Sequence, residues 1–271
     1  MNTKNWKMKS REQAVSLLEY DLGEGVRAFS TLRGGGLAED SYSGFNITHY
    51  CGDRVENILK NREILCGQLG IDDDHLLLPR QTHGTKIRSI RDTFFKLPAT
   101  ERQLMLEDTD ALITDVPHVC IGVSTADCIP VLLHDSLHHI IAAVHAGWRG
   151  TVRRIVEKTI TAMRNEFSSV PENVRAIIGP GISQAAFEVG DEVYEEFSGA
   201  GFPMEEIVVR MNGKWHPDLW AANFLMLEEA GLRFENIRVA GICTYRNYEK
   251  FFSARRLGIK SGRIYNGIML T

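Results

Sequence analysis

Residues 121–151 read IGVSTADCIPVLLHDSLHHIIAAVHAGWRGT and decide the fold of the chain. Residues 129–133 and 140–144 are two short apolar runs, rich in β-branched side chains. Because both runs are too short for core helices, they predict buried strands. The polar residues between them favour a turn. The stretch therefore predicts a central β-hairpin.

A thiol and an imidazole lie at the open end of this predicted hairpin. In an antiparallel pair the numbers of opposite residues add to a constant, and a turn centred between Ser136 and Leu137 places Cys128 opposite His145. The register assumes a loop of even length, because a slip of one residue would send the two side chains to opposite faces. We therefore expect Cys128 and His145 to face each other.

This pairing is consistent with two kinds of reactive site. Cys and His are the commonest zinc ligands, and a thiolate beside an imidazole is also the centre of a cysteine nucleophile. The structural alternative is an inert buried thiol and a histidine that only ends a strand. Asp127 precedes the cysteine, and Gly-Trp-Arg-Gly follows the histidine at residues 147–150. Charge and glycine at strand ends are costly for packing, so they favour a ligand site.

Length and charge narrow the class of protein. The chain has 271 residues, 44% of them hydrophobic and 24% charged, which is typical of a globular protein with one large core or two modest ones. The net charge is -4 and the pI is near 6.2. Lys and Arg are dispersed, so the chain offers no basic patch for a nucleic-acid backbone. Nucleic-acid binding is disfavoured.

The termini and the cysteines indicate the compartment. The leader MNTKNWKMKSREQ has charges without an apolar region behind them, and no apolar run in the chain reaches about 18 residues. We expect a cytoplasmic protein without a membrane span. The cysteines form an odd set without C-x-x-C spacing, which argues against a disulfide framework or a zinc ribbon. They are Cys51, Cys66, Cys120, Cys128 and Cys243. Any metal site must combine ligands from distant parts of the chain.

Strand and helix patterns alternate along the chain, without a Pro/Ser-rich linker or an internal repeat. Outside the hairpin, strands are predicted at residues 14–20, 26–31, 76–78, 112–114, 119–123, 176–178, 239–242 and 263–269. Helices are predicted at 54–69, 152–167, 191–197 and 219–230, the second capped by Thr151 and the last by Asp218. Residues 91–107 read as a loop or short helix, and 211–214 as a hairpin turn. The pattern predicts one α/β domain over residues 1–271.

Several polar residues outside the strands are candidates for a site. His83 lies between a predicted strand and Gly84 in a polar segment. Arg33 begins the flexible loop RGGG, which reads as an anion-binding element or as a plain connector. Asp108 and Asp110 offer a carboxylate pair for acid-base work, although a solvated turn or a cap is the commoner explanation.

Arg149 lies just before the predicted helix start at Thr151. Free backbone N–H groups at a helix start bind anions, and a guanidinium adds to this, so an anionic group such as phosphate could bind here. An ion pair between Arg149 and a nearby carboxylate is the equal alternative.

Six groups of residues, in order along the chain, resemble one protein family. They are TADCIPVLLHD at 125–135, AAVHAGWRGT at 142–151, IGPGI at 178–182 with AFEVGDEV at 186–193, DLWAAN at 218–223, CTY at 243–245 and FFSARR at 251–256. They look like the laccase-domain, or polyphenol oxidase, family of YfiH- and YlmD-like proteins, now regarded as purine nucleoside phosphorylases. The resemblance extends from Gly44-Phe45-Asn46 to Arg256.

The resemblance implies both a fold and a metal site. The fold would be a single α/β domain with mixed β-sheets sandwiched between helical layers, similar to the catalytic domain of cytotoxic necrotizing factors. One zinc would be held by His83, Cys128 and His145, which would also be the catalytic residues. Arg149, Arg33 and Asn46 are the candidate substrate-binding residues. Thr82 stands where the family usually has Val, and residues 183–186 also depart from the common family form.

The activity implied by the resemblance is phosphorolysis of adenosine, inosine and S-methyl-5'-thioadenosine to free base and ribose 1-phosphate, with an added adenosine deaminase activity. Purine nucleosides and phosphate would be the partners. Three protein ligands leave the fourth zinc position open, as in catalytic rather than structural zinc sites. The usual zinc deaminase signature, H-x-E with P-C-x-x-C, is absent, so deamination would need an unrelated site.

Three other functions remain open. The first is a metal-independent cysteine hydrolase or amidase with Cys128 as nucleophile and His145 as base. The second is a copper polyphenol oxidase (laccase), against which the nine histidines argue, because they are mostly scattered and only His138-His139 are adjacent. The third is a zinc-stabilised interaction module without catalytic activity.

Overall fold

The computed structural model describes residues 14–34 and 40–271, in which we number thirteen strands and eight α-helices. The strands are β1 (Leu17–Tyr20), β2 (Val26–Thr31), β3 (Leu76–Leu77), β4 (Ile87–Ile90), β5 (Ala111–Thr114), β6 (Cys120–Thr125), β7 (Ile129–Asp135), β8 (Ile140–Ala146), β9 (Val174–Ile178), β10 (Val208–Met211), β11 (Lys214–Pro217), β12 (Ile237–Val239) and β13 (Ile264–Leu270). The helices are α1 (Val55–Leu69), α2 (Ala99–Leu106), α3 (Trp148–Val152), α4 (Ile155–Phe167), α5 (Asp191–Gly199), α6 (Met204–Ile207), α7 (Leu219–Glu229) and α8 (Ala254–Leu257). The leader MNTKNWKMKSREQ and the glycines at 35 and 36 lie outside the described residues.

Two mixed sheets lie face to face in the centre of the fold. The smaller has the order β1-β2-β13-β6-β3 and the larger the order β12-β9-β7-β8-β5-β4. Parallel pairing is confined to the edge strands β3, β4 and β12. Side chains from both inner faces, among them Ile121, Leu132 and Ile268, form one buried apolar cluster. The strands of the central hairpin are buried throughout, as expected for a sheet covered on both faces.

Helices cover the two outer faces. Helix α4 packs Ile155 and Ile160 against the larger sheet, and α1 packs Leu65 beside Phe29 and Tyr265 of the smaller sheet. The prediction of an α/β domain with mixed sheets between helical layers is confirmed. The likeness to cytotoxic necrotizing factors stays a prediction. No helix of the described ranges is both long enough and apolar enough to cross a membrane.

The central hairpin forms, but in a different register from the predicted one. Pro130, not Cys128, lies opposite His145, and Asp135 pairs with Ile140. The predicted pairing of Cys128 with His145 is therefore wrong by two residues. Because side chains alternate with a period of two, an even slip keeps both side chains on the same side of the sheet.

The register differs because Asp135 belongs to the strand rather than to the turn. Its Oδ1 accepts hydrogen bonds from the N–H groups of Leu137 (3.0 Å) and His138 (3.2 Å). The loop therefore consists of residues 136–139, with His139 at a positive φ of 54°. The side-chain bonds that set this loop were not visible in the apolar pattern of the strands.

The segment after the hairpin contains two helices, where the sequence predicted one. Thr151 lies inside α3, and its Oγ1 donates to the carbonyl of Ala146 (3.4 Å), so its predicted role as N-cap is wrong. Arg154 has a left-handed backbone (φ 59°) between α3 and α4 and is held by bonds from its guanidinium to Glu157 and Glu229. This bend lets α4 turn along the larger sheet.

Other boundaries show the limits of local patterns. Asp218 caps α7 as predicted, because its Oδ1 accepts the N–H of Ala221 (3.0 Å). The strand predicted at 239–242 lies earlier, at β12, because Gly241 has a positive φ of 64° that an extended strand cannot contain. Strand β4 was not predicted.

Candidate metal centre

Three side chains from separate segments meet at the open end of the central hairpin. His83, Cys128 and His145 each offer one donor atom, and these atoms all lie within 4.8 Å of one another. His83 Nε2 is 3.8 Å from Cys128 Sγ, and the two imidazoles meet edge to face with their centroids 4.8 Å apart. His83 is exposed, whereas His145 is 3% exposed. The structure thus brings together the three residues expected from the sequence.

A single carboxylate, that of Asp110, holds both histidines. Its Oδ1 accepts hydrogen bonds from His145 Nδ1 (2.7 Å) and from the backbone N–H of His83 (3.0 Å). Its Oδ2 accepts the N–H groups of Gly84 (2.8 Å) and Thr82 (3.3 Å). These bonds stabilise the left-handed backbone of His83, whose φ is 60°. Asp110 therefore positions one histidine through its ring and the other through its main chain.

Asp127 holds the bend that carries Cys128. Its backbone has a positive φ of 89°, which is uncommon for a residue other than glycine. Its carboxylate accepts hydrogen bonds from Thr244 Oγ1 and from the N–H of Arg255, both at 2.7 Å. Its carbonyl accepts the N–H of Ile182 (2.8 Å). Three segments outside the hairpin thereby fix the position of the thiol.

Gly147 leaves the space into which the three donors point. A Cβ at this position would lie 3.0 Å from Cys128 Sγ and 2.9 Å from His83 Cδ2, and real Cβ atoms essentially never show the second distance. The bond from Asp110 to Nδ1 of His145 leaves Nε2 of that ring as the free donor atom, as in many metal-ligating histidines. A thiolate, two imidazoles and an open cradle between them fit a transition-metal ion.

The thiol and the imidazoles change one another's pKa. Burial alone would raise the pKa of Cys128, but the charges and hydrogen bonds of His145 and His83 outweigh it and lower this pKa to about 6. Burial would also lower the pKa of His145, but the Cys128 thiolate and Asp110 outweigh it and raise this pKa. In the metal-free site the sulfur is therefore held as a thiolate, the form that both ligates metals and acts as a nucleophile.

A cleft of about 790 Å³ opens beside the three donors. On one wall, Gln81 Oε1 accepts the N–H of Ser124 (2.7 Å), and the hydroxyls of Tyr50 and Ser124 are 2.8 Å apart. The apolar part of the lining consists of Ala126, Trp148, Ile182, Phe187, Ala254 and Ile259, and the cationic part of Arg255, Lys260 and Arg263. The cleft combines flat apolar walls with polar and positively charged groups.

Among the described residues that line this cleft, none is one of the three predicted substrate-binding residues, Arg149, Arg33 and Asn46. Arg149 is exposed, with its guanidinium 4.2 Å from the ring centroid of Trp148. Arg33 donates from Nε to the carbonyl of Ser43 (2.7 Å) and from Nη1 to that of Tyr248 (2.8 Å). Both guanidinium groups lie outside the cleft.

Asn46 is fully buried and joins neighbouring segments through its side-chain hydrogen bonds. Its Nδ2 donates to Asp53 (2.8 Å), and its Oδ1 accepts the N–H of Arg263 (3.2 Å), a residue of the cleft. Asp108 is exposed and Asp110 is buried, so the two carboxylates do not act as a pair. The position of Asp110, directly before the fully buried strand β5, was the available signal, because a carboxylate buried there needs several hydrogen-bond donors.

Comparisons with known proteins show the family to which the chain is related. The family model described as multi-copper polyphenol oxidoreductase laccase matches residues 27–271. A protein of Bacteroides thetaiotaomicron named purine nucleoside phosphorylase is 47% identical over 247 residues, which cover 90% of this chain and 92% of that protein. A protein of an unknown prokaryotic organism named adenosine deaminase RL5 is 46% identical over 247 residues, 90% of this chain and 94% of its own length.

Solved structures agree with these relatives. The crystal structure of Bacillus licheniformis hypothetical protein YfiH has a TM-score of 0.88 and 28% identity, covering 96% of this chain and 98% of that chain. YlmD from Geobacillus stearothermophilus has a TM-score of 0.85 and 25% identity, covering 93% and 94%. The chain therefore belongs to the family described as multi-copper polyphenol oxidoreductase laccase, together with YfiH-like relatives that are named purine nucleoside phosphorylase.

Proposed function

We propose that the protein is a zinc-dependent purine nucleoside phosphorylase that acts on adenosine, inosine and S-methyl-5'-thioadenosine and also deaminates adenosine. The convergence of His83, Cys128 and His145 beside the cleft is the observation that carries this proposal. The cleft volume of about 790 Å³ suits a small-molecule substrate. Relatives that are 47% and 46% identical, with the names purine nucleoside phosphorylase and adenosine deaminase, support the two activities.

The residues of the site have distinct tasks in this proposal. His83, Cys128 and His145 would hold the zinc, which when bound supplies Lewis-acid chemistry. Asp110 keeps the proton of His145 on Nδ1, so that Nε2 is the ligand atom. The flat side chains of Trp148 and Phe187 line the cleft with the surface that a purine ring packs against, and they exclude water from it.

Incubation with adenosine, with and without phosphate, tests the proposal. We expect adenine and ribose 1-phosphate only when phosphate is present, and inosine in either case, separated by chromatography. Adenine released at the same rate without phosphate would indicate a hydrolase instead. The absence of products from all three nucleosides would contradict the proposed function.

A metal-independent cysteine hydrolase or amidase is the second candidate, favoured by one observation. Asp110 binds His145, and His145 lowers the pKa of Cys128, which is the arrangement of orienting group, base and nucleophile in cysteine enzymes. Activity that survives thorough chelation but is lost on thiol alkylation would establish this candidate. Activity that is lost on chelation and restored by zinc would exclude it.

A copper oxidase needs more ligands than the structure offers. Among the described residues, a single group of three potential ligands is close enough to hold an ion, whereas multicopper oxidases need several copper sites. Metal analysis of protein purified without added copper tests this alternative. Stoichiometric copper with a blue absorption band would support the oxidase, and stoichiometric zinc would support the phosphorylase.

A further inference from the structure

The cleft beside the metal centre is positively charged, although the chain as a whole is acidic. Among the described residues that line it, Arg255, Lys260 and Arg263 are accompanied by a single carboxylate, that of Asp127, in a chain of net charge -4. Within the described residues, none of the three cations has a carboxylate at ion-pair distance. A cleft lined by one sign of charge concentrates ligands of the opposite sign. The lining therefore favours an anionic ligand.

The carboxylate of Asp127 does not neutralise these cations. One of its oxygens accepts the hydroxyl of Thr244, and the other accepts the backbone N–H of Arg255, rather than a guanidinium or an ammonium. The bond to the backbone also connects Arg255 to the residue directly before Cys128. The cationic wall is thereby attached to the segment that carries the thiol.

Arg263 fixes the turn from which Lys260 projects. Its Nη1 donates to the carbonyls of Ser261 (2.6 Å) and Gly262 (2.9 Å), and its Nη2 donates to that of Ile259 (2.8 Å). These bonds use three of the five N–H donors of the guanidinium to hold the chain around Lys260. The Lys260 side chain is exposed, and its ammonium has no hydrogen-bond or ion-pair partner among the described residues. It is the cation most available to a ligand.

The guanidinium of Arg255 also has N–H donors that are available to a ligand. Its Nη1 and Nη2 each donate to the carbonyl of Glu188, at 3.1 and 3.2 Å. Because a guanidinium carries five N–H donors, the two bonds to Glu188 leave three for other acceptors. Arg256, the next residue, differs: its guanidinium lies 4.8 Å from the ring centroid of Tyr248 and does not line the described cleft.

We propose that Lys260 and Arg255 form an anion subsite that binds phosphate, with Arg263 as the positioning residue. The proposal rests on the proposed phosphorolysis and names the groups that hold its second substrate. In that reaction a phosphate oxygen forms a bond to the anomeric carbon and the glycosidic C–N bond breaks. The electron pair stays on the purine nitrogen, and the proton of hydrogen phosphate ends on the base. This assignment differs from a phosphate site at Arg149.

Steady-state kinetics of Lys260→Gln and Arg255→Gln test the subsite, with Arg256→Gln as the matched control. We expect each of the first two to raise the KM for phosphate roughly ten- to hundredfold, the range for losing a hydrogen bond to a charged group. The KM for adenosine and the rate of deamination should stay near parental values, and Arg256→Gln should match the parent. An unchanged KM for phosphate in both cleft variants would overturn the subsite, as would a rise only in Arg149→Gln.

Direct binding separates this proposal from the proposed function. Inorganic phosphate should raise the Tm of the parent and of Arg256→Gln above its value in sodium chloride of equal ionic strength, and not that of Lys260→Gln. Tm values without phosphate check that the variants fold. If the parent binds phosphate through Lys260 without splitting any nucleoside, the phosphorylase proposal fails and the subsite stands. If phosphate raises the Tm of Lys260→Gln as much as that of the parent, the subsite fails.

Discussion

Among the single residues of the site, Asp110 supports both histidines of the metal centre. In Asp110→Asn the amide nitrogen cannot accept the hydrogen bonds that one carboxylate oxygen now receives, so His145 and His83 lose part of their support. We expect the zinc affinity to fall about 10- to 100-fold, as for other residues that orient metal ligands. Competition with a chromophoric chelator measures this change.

The neighbouring carboxylate provides the control for that substitution. Asp108 is exposed and does not contact either histidine, so Asp108→Asn should keep the parental zinc affinity. A parental affinity in Asp110→Asn as well would show that the histidines hold their positions without the carboxylate.

Cys128 itself tests the link between zinc and activity. In Cys128→Ala the sulfur donor is absent, and two imidazoles remain in an open cradle. We expect the variant to be purified without stoichiometric zinc and to lose both phosphorolysis and deamination, as measured by metal analysis and chromatography of the products. If either activity persists at the parental rate, zinc has no part in its mechanism.

The thiol should also show an unusual pH dependence in metal-free protein. Because the pKa of Cys128 is lowered to about 6, mainly by His145 against the effect of burial, most of the sulfur is thiolate at pH 7. We expect its alkylation by iodoacetamide to increase with pH around 6 and to level off above about pH 7, whereas an ordinary thiol keeps accelerating towards about pH 8.5. Zinc should suppress the reaction.

Peptide mass spectrometry provides an internal control for this measurement. Burial raises the pKa of Cys66 to about 11 and that of Cys120 to about 12, so both should remain unmodified in the folded protein at pH 7. A Cys128 that reacts with the profile of a free thiol would mean that His145 does not stabilise the thiolate.

At the scale of elements, the turn of the central hairpin depends on Asp135. Burial would raise the pKa of its carboxyl, but the nearby Ser169 hydroxyl and the hydrogen bonds from the ring and backbone N–H of His138 outweigh it and lower this pKa. A lowered pKa contributes stability above the unfolded-state value of about 4, and this contribution is lost as the pH falls through the folded-state value. Asp135→Asn should lower the free energy of unfolding by about 1–3 kcal/mol at pH 7 and by less below pH 4.

Urea titrations at several pH values measure this effect. Ser136→Ala lies in the same turn on an exposed residue and should leave the free energy of unfolding within about 0.5 kcal/mol of the parental value. A difference between Asp135→Asn and the parent that grows towards low pH would contradict the assignment.

The same hairpin shows which features of an element can be predicted from sequence. The apolar runs at 129–133 and 140–144 predicted both strands, because buried strands need continuous apolar side chains. The register depended on the hydrogen bonds that Asp135 accepts in the loop. The break between α3 and α4 depended on the ion pair between Arg154 and the distant Glu229. Such contacts join residues that local periodicity does not relate.

The candidate metal site also has some features that the sequence predicts and others that it does not. Cys128 and His145 were predictable because both lie at the open end of one hairpin, whereas only the family resemblance identified His83 as a metal ligand. The position of Asp110 before a buried strand indicated that its carboxylate needs donors, but the donors that Asp110 and Asp127 receive could not be predicted, because they come from segments far along the chain. Three-dimensional neighbours, rather than residue type, determine these roles.

At the scale of the whole molecule, the cluster between the two sheets holds the layers together. Leu132 in β7 is 1% exposed within this cluster. Leu132→Ala removes side-chain contacts to both sheets, and we expect the free energy of unfolding to fall by about 2–5 kcal/mol in denaturant titrations. Leu137→Ala, at a position that is 64% exposed, should change it by less than about 0.5 kcal/mol. Equal effects of the two substitutions would contradict the face-to-face packing.

The place of β13 affects how the protein can be made. This strand follows all the others along the chain, yet it lies in the middle of the smaller sheet, between β2 and β6. Strands β2 and β6 therefore cannot be joined in their final sheet until β13 has been synthesised. The layer that supports Gln81 and Ser124 is completed only afterwards, so catalytic competence should arise only after translation of β13.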